Sequence, residues 1–276
     1  LPVLLRPIRS EDATRLQQGF RRLSQLARRR RFLDHVDELS DEQLRHLTAV
    51  DQLNHVAWGA LNLERPEEPG IGVARYVRLE DDASAADVAI TIADEYQGRG
   101  TGLVLQAVLH LQAQQHGIRS FFYDVLSDNE RIIRHLKLMG AEHAGRADNI
   151  DRLRMPVYRR AWDVPDGNDI GRRFAEVFQR LTERREELDR RARELDQREA
   201  LLTAAQQRID QKVAELTDLR TNIEGLLRQV DEKQAAQLES LVKIYETMKP
   251  KDAARIFEAL DMPVLLDVME RMKEAK

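Results

Sequence analysis

The stretch Gln97-Gly98-Arg99-Gly100-Thr101-Gly102 spaces three glycines two residues apart, immediately ahead of an apolar helical run. Backbone N–H groups left free at a helix start, reinforced by the helix dipole, bind phosphate oxygens, and glycine lets backbone approach closely without a side chain in the way. The spacing fits a pyrophosphate. A plain tight turn also accounts for a glycine-rich loop, so context has to separate the two. The loop lacks the Gly-Lys-Ser/Thr ending of nucleoside triphosphatases, and it has neither the first-strand position nor the downstream ribose-binding acid of a dinucleotide fold. Other chemistries are narrowed by composition. There is no Cys, which removes disulfides, thiolate catalysis and Cys-ligated zinc. The seven His are scattered without a His-x-x-x-His pair, so no metal site is expected.

The elements that must position this loop read as follows. Val3 to Ile8 has strand character, and Ser10-Glu11-Asp12 opens an amphipathic helix with Ser10 as its cap. A second helix runs from Asp41 to Leu47, with Ser40 and Gln43 in capping-box positions. Three apolar runs follow, His55 to Leu61, Ile71 to Val77 and Val88 to Ile92, separated by turn residues and suggesting an antiparallel meander. Past the loop come a helix of about Gly102 to Gln115 ended by Gly117, a strand Phe121 to Leu126, a helix Asn129 to Leu138 stopped by Gly140, and a last strand Arg152 to Val157. This order describes an α/β (α+β) chain with a mixed, mostly antiparallel sheet and helices on both faces.

The formal net charge of -4 is not the basic balance of a nucleic-acid binder. The run Arg28 to Arg31 reads as a solvated stretch near a helix end, since no neighbouring basic run extends it. With no apolar run long enough to span a bilayer and no signal-peptide pattern, a soluble, cytoplasmic chain with no membrane partner is expected.

The character of the chain changes after Pro165-Asp166-Gly167-Asn168. Residues 163–172 read as a linker between a domain at 1–162 and a charged helix at 173–238. Leu181, Leu188, Leu195, Leu202, Ile209, Leu216, Ile223 and Val230 recur every seven residues, the mark of a left-handed coiled coil. The positions four residues later include Arg185, Glu199, Gln206 and Arg220, so the seam is half polar and self-association should be weak. A lone helix held by Glu-to-Arg pairs is the alternative. Beyond Pro250, two short helices are expected at Lys251 to Leu260 and Pro263 to Met272, the second capped by Asp261.

Several motifs agree in order and spacing with one family. Glu95-Tyr96-Gln97-Gly98-Arg99-Gly100-Thr101-Gly102 matches the Gln/Arg-x-x-Gly-x-Gly/Ala motif of the GNAT N-acetyltransferases, in its place after the fourth strand. Val125-Leu126-Ser127-Asp128-Asn129 resembles the family's fifth strand and following Asn. Arg6-Pro7-Ile8-Arg9, Arg31-Phe32 and Val73-Ala74-Arg75-Tyr76 resemble the branch that includes bacterial protein-lysine acetyltransferases. The resemblance covers about 1–160 and implies a GNAT fold, acetyl-CoA as co-substrate and direct attack by a primary amine of a protein lysine or small molecule. It implies that the amides of Gln97, Gly98, Arg99, Gly100, Thr101 and Gly102 take the pyrophosphate. Ile90, Thr91 and Ile92 would pair with the pantetheine arm, and Asn129 would bind the distal arm. The family's base is a carboxylate at the start of the fourth strand, a Glu in the protein acetyltransferases and Asp87 here. The shorter side chain favours a water-mediated role, and a carboxylate without catalytic duty fits as well. Where many members carry an acid Tyr, this chain has Leu136, which can donate nothing; His135 and Tyr123 are weaker candidates.

Residues 181–276 resemble something else. Leu241 to Leu266 looks like the flagellar MotE family, whose helical domain is related to the N-terminal domain of MgtE magnesium transporters, and Glu186 to Arg191 resembles the coiled coil that precedes it. That resemblance implies a truncated helical segment at 239–276 and a chaperone function toward a MotC-like stator partner in the periplasm. Acetyl-CoA is a cytosolic cofactor, so the two resemblances describe unrelated units joined as a natural fusion or as a gene-assembly artefact, with the flagellar or scaffold role as the alternative function.

Overall fold

The computed structural model describes residues 2–249, 252, 256–258 and 260–272. The chain divides into two compact units, Leu1–Arg191 and Ala192–Lys276.

The first unit is built on one seven-stranded sheet of order β1-β2-β3-β4-β5-β7-β6. Its strands are β1 (Val3–Pro7), β2 (His55–Asn62), β3 (Gly72–Arg78), β4 (Ala85–Ile92), β5 (Ser120–Leu126), β6 (Glu142–Ala147) and β7 (Ile150–Pro156). The pairs β1–β2, β2–β3 and β3–β4 are antiparallel, as the meander predicts, and β4–β5 is the parallel step. A parallel pair needs a crossover, and helix α4 (Thr101–Gln115) supplies it. Strand β6 escaped the sequence reading. Glu142–Ala147 alternates almost no apolar residues because it is a half-exposed edge strand, bulged between His143 and Gly145 and paired with β7 alone.

Three helices precede β2: α1 (Ala13–Arg22), α2 (Gln25–Phe32) and α3 (Asp41–Thr48). The capping box of α3 forms as the sequence predicts, with Gln43 N–H donating to Ser40 Oγ at 3.2 Å and Ser40 N–H to Gln43 Oε1 at 2.9 Å. The expected Ser10 cap is corrected: residues Ser10–Asp12 form a short 3-10 turn, and Asp12 takes the capping part. Its carboxylate accepts from Arg9 N–H at 2.9 Å and is held by both Arg6 nitrogens at 2.7 and 2.5 Å. Helix α2 also went unread, because its arginine run carries too little apolar periodicity. A small core of Phe20, Leu23, Leu39 and Leu47 lies among these helices.

The main core lies under α4, where Val56, Ala74, Tyr76, Leu105, Leu109 and Phe121 are buried. Ten of the fifteen residues of α4 are buried, so this helix is apolar nearly all round rather than on one stripe. Helix α5 (Glu130–Leu138) adds Leu136 to the same core.

Helix α6 (Asp169–Thr247) begins inside this unit, so the expected linker at 163–172 is built into it. Phe174 and Phe178 are fully buried in the main core, stacked on each other at 5.9 Å and set edge-on to His110. Asn168 fixes the start of the helix: its Oδ1 accepts from Gly171 N–H at 2.9 Å while its Nδ2 donates to Leu138 O at 2.7 Å. A Cβ on Gly171 would lie 1.7 Å from Pro165 O, so glycine is required there by the close approach of backbone.

In the second unit, residues 192–237 of α6 are exposed throughout, including every seven-residue position from Leu195 to Val230. A small cluster forms further on, where Val242 and Val268 are buried against Met248, Phe257, Leu260 and Met272. Helix α7 (Met262–Arg271) has Pro263 in its first turn, and Asp261 stands at the capping position without a side-chain hydrogen bond. The helix expected at Lys251 to Leu260 lies largely outside the described residues.

Candidate active site

Strands β4 and β5 pair over three positions, Ala85 with Ser120, Ala86 with Phe121 and Asp87 with Phe122, and then part. β4 keeps its antiparallel bonds to β3 as far as Ile92, and β5 keeps those to β7 as far as Leu126. The facing edges are therefore left without a strand partner from Val88 and Tyr123 onward. A cleft of about 1440 Å³ opens there, lined by Val88 to Ile92, the glycine loop, Tyr123, Asn129 and helix α5. Among the described residues, β4 from Val88 onward has no strand partner on this side, and only Ile92 O is engaged there, by Gln97 Nε2, so an extended ligand can complete the edge as a further strand would.

The loop closes one end. Gly98 and Gly100 have φ of +75° and +88°, a left-handed conformation that glycine adopts freely, and a Cβ at either would meet open space. Gly102 has no such φ and begins α4 with Thr101. The first helical bond runs from Val104 N–H to Gly100 O, so among the described residues the N–H groups of Gly98 through Leu103 have no partner. Gln97 differs from its expected part: its N–H is engaged with Asp94 O at 3.3 Å, and its amide side chain donates to Ile92 O and Asp94 Oδ1 at 3.2 Å. It braces the turn that aims the amides. Arg99 is exposed, with its guanidinium over the Tyr96 ring.

Asn129 stands at the start of α5, 6% exposed, and its Oδ1 is buried without a hydrogen-bond partner in the cleft wall. A buried amide oxygen left unpaired is costly, so this atom fits a ligand donor. The free amides at the other end of the cleft fit an anion. One end of the expected cofactor path thus offers the donors that a pyrophosphate requires, and the other an acceptor for an amide-bearing arm.

Ile90, Thr91 and Ile92 lie on the open edge. Alternation along β4 places Asp87, Ala89 and Thr91 on one face. Asp87 is half-exposed, and its Oδ1 accepts from Arg152 Nη2 at 2.6 Å. Arg152 is shared with Asp124 at 2.7 Å and lies over the Phe122 ring. Burial, opposed by Arg152 and aided by the nearby Asp124, holds the Asp87 carboxyl above the usual carboxylate range. Arg152 lies on β7, sixty-five residues from Asp87, and no local pattern marked it.

Leu136 is buried in the core, as its apolar side chain requires. Of the two other candidate donors, Tyr123 is buried and lines the cleft, and its Oη accepts from Gln106 Nε2 at 3.1 Å, which leaves its own hydrogen to donate. Burial raises its pKa, so it keeps the proton. His135 lies on α5 in the same wall, its pKa lowered by burial and by Arg131. Helices α2 and α6 also bring Arg30, Arg31 and Arg173 to the cleft, although the run Arg28 to Arg31 reads in the sequence as a solvated stretch.

Comparison with known proteins gives the family. Residues 3–142 match the model of the acetyltransferase (GNAT) domain family. Acetyltransferase PA5475 of Pseudomonas aeruginosa is 37% identical over 134 residues, covering 49% of this chain and 71% of its own length. Acetyltransferase Pat of Mycolicibacterium smegmatis is 35% identical over 141 residues, covering 50% of this chain and 40% of its own, so the chain spans less than half of that relative. The GNAT domain of S. lividans PAT superposes with a TM-score of 0.52 at 27% identity, covering 55% of this chain and 89% of that one. The matched region holds the loop, the parted strands, Asp87 and Asn129. The chain belongs to the GNAT family of acetyltransferases.

Proposed function

We propose that the first unit transfers an acetyl group from acetyl-CoA to a primary amine by direct attack. The observation that carries this reading is the parting of β4 from β5 after Asp87, which leaves an unpaired strand edge leading into six unpartnered amides at the start of α4. In this reading Gly98 to Gly102 hold the pyrophosphate, Ile90 to Ile92 pair with the pantetheine arm, and Asn129 donates to and accepts from its distal amides. The bound thioester supplies an activated acetyl carbon. A strand amide directed at its oxygen stabilises the charge that grows there. Asp87 accepts the proton of the incoming ammonium through water, since its carboxylate is already tied to Arg152 on one side. Tyr123 donates its hydrogen toward the departing sulfur.

Calorimetric titration of the full chain with acetyl-CoA tests the reading, and absence of binding overturns it. Gly100→Trp should abolish binding, because a side chain at that φ strains the loop and fills the phosphate approach; an unchanged affinity counts against the loop. Asp87→Asn keeps an acceptor for Arg152 and should lower kcat by roughly 100-fold or more, with acetyl-CoA affinity unchanged. In the wild type, the rate should rise with pH through a value above the ordinary carboxylate one, and that limb should vanish in Asp87→Asn.

A second reading concerns α6. Its seven-residue positions Leu195 to Val230 are exposed, which favours pairing with another coiled-coil helix, a second copy of this chain included. Sedimentation equilibrium over a concentration series distinguishes a weak self-associating rod from a lone helix. The MotE-like reading of 181–276, with a MotC-like partner, rests on sequence resemblance, and failure of that segment to capture MotC removes it.

A further inference from the structure

Two arginines face one cavity, and neither is paired with an acid among the described residues. Arg75 lies on β3 opposite Ala89 of β4, which places it on the same face of the sheet as Asp87 and Thr91. It is 6% exposed, and its Nη1 donates to Leu47 O and to His55 Nε2, each at 3.2 Å. Neither partner carries negative charge. Arg31, in the last turn of α2, lies over the Phe32 ring and has no hydrogen bond or ion pair among the described residues. Both side chains line an apolar cavity of about 100 Å³ that reaches Thr91 on β4. Four arginines and a single aspartate border that cavity, and Asp12 is already held by Arg6 and the Arg9 amide. Burial pushes Arg75 down to about 9, with Arg31 adding to the shift, and pushes Arg31 down to about 10. His55 offers no compensation, since burial and Arg75 keep it neutral, near 4.

A guanidinium presents a fixed fork of N–H donors that matches a carboxylate in two parallel bonds. Arg75 on β3, on the face that carries Asp87, and Arg31 on helix α2 line one cavity, so an anion there can meet two guanidinium groups, and the apolar walls strengthen such bonds by excluding water. We propose that the Arg31–Arg75 cavity binds a substrate carboxylate, and that the acetyl acceptor is a small primary amine carrying that group, as an amino acid does. The proposal rests on the acetyltransferase reading and adds the acceptor class to it. Arg31 also borders the cofactor cleft, which joins the clamp to the site of transfer.

Amines that differ only in a carboxylate test the proposal. With acetyl-CoA and the full chain, L-lysine should exceed cadaverine, and L-ornithine should exceed putrescine, in kcat/KM by on the order of 100-fold. Arg75→Gln should bring each pair within about tenfold, and Arg75→Lys, which keeps the charge without the fork, should restore part of the preference. Circular dichroism and acetyl-CoA affinity of each variant show whether it is folded. Equal use of paired amines by the wild type overturns the proposal. A preference for succinyl-CoA over acetyl-CoA that is lost in Arg75→Gln keeps the carboxylate clamp but overturns its assignment to the acceptor. If the wild type fails to bind acetyl-CoA at all, the acetyltransferase reading falls first. Binding of acetyl-CoA without discrimination between the amines defeats the clamp alone.

Discussion

Helix α4 and the middle of helix α6 are both unbroken helices, and they handle their apolar residues in opposite ways. In α4 the leucines, valines and alanines are covered by β2, β3, β4 and the first turns of α6, so the helix is buried on nearly every side. In α6 from residue 192 to 237, leucines, isoleucines and a valine at seven-residue spacing stand exposed among Glu and Arg. A helix in the first situation is part of a folded core. One in the second is held by its own backbone bonds and by pairs such as Arg220–Glu224 and Lys212–Glu215, each worth only about 0.3–0.5 kcal/mol. The difference appears within one helix: α6 starts as core, with Phe174 and Phe178, and is exposed from residue 192 to 237.

The largest expected effect breaks that comparison at its junction. Phe178→Ala should destabilise the first unit by about 3–5 kcal/mol, as removal of a buried aromatic does. Trp58 and Trp162 both lie in the first unit, so urea unfolding followed by Trp fluorescence reports that unit alone. An unshifted midpoint would mean that the first turns of α6 are as dispensable as its middle. For the same reason a fragment ending near residue 165 is a poor test of cofactor binding.

Gly171→Ala comes next. Its Cβ cannot coexist with Pro165 O, and the displaced turn should cost about 1–3 kcal/mol in the same assay.

A pH dependence should follow from His110, which is fully buried under Tyr158, Phe121 and Phe174. Its Nδ1 accepts from Tyr158 N–H at 3.1 Å, and burial pushes it down to about 3. Between that value and the ordinary 6.5, the unfolded chain binds a proton that the folded chain refuses. Stability is therefore fully present above pH 6.5 and falls as the pH drops, by about 1.4 kcal/mol per unit from this group. His110→Asn should flatten the slope over this window, and an unchanged slope would assign it to other groups.

The smallest effect belongs to the rod. Leu202→Ala should leave the unfolding of the first unit unchanged within about 0.5 kcal/mol, since that side chain touches no core. A larger shift would erase the contrast between the two halves of α6.

The candidate site was legible where its chemistry is local. Gly98 to Gly102 is legible because free amides and positive φ need glycines at short, fixed spacing. The α3 capping box was legible for the same reason, whereas Leu136 in the place of an acid is what the family resemblance implies. Helix α2 and strand β6 were not, since an arginine run and an edge strand carry little apolar periodicity. Arg152 beside Asp87, and Arg31 beside Arg75, join residues far apart in the chain, and a sequence read in windows does not bring them together.

Local pattern laid out most of the strands and helices, the glycine-rich loop ahead of α4 and the seven-residue spacing in α6. These follow from backbone conformation and periodicity, which neighbouring residues set. Tertiary structure alone decided where the fold ends. The residues read as a linker and the start of a coiled coil became core, because Phe174 and Phe178 find an uncovered apolar face on α4 and close it. It also decided which charges stay unpaired, since that depends on what the folded sheet brings to the same face.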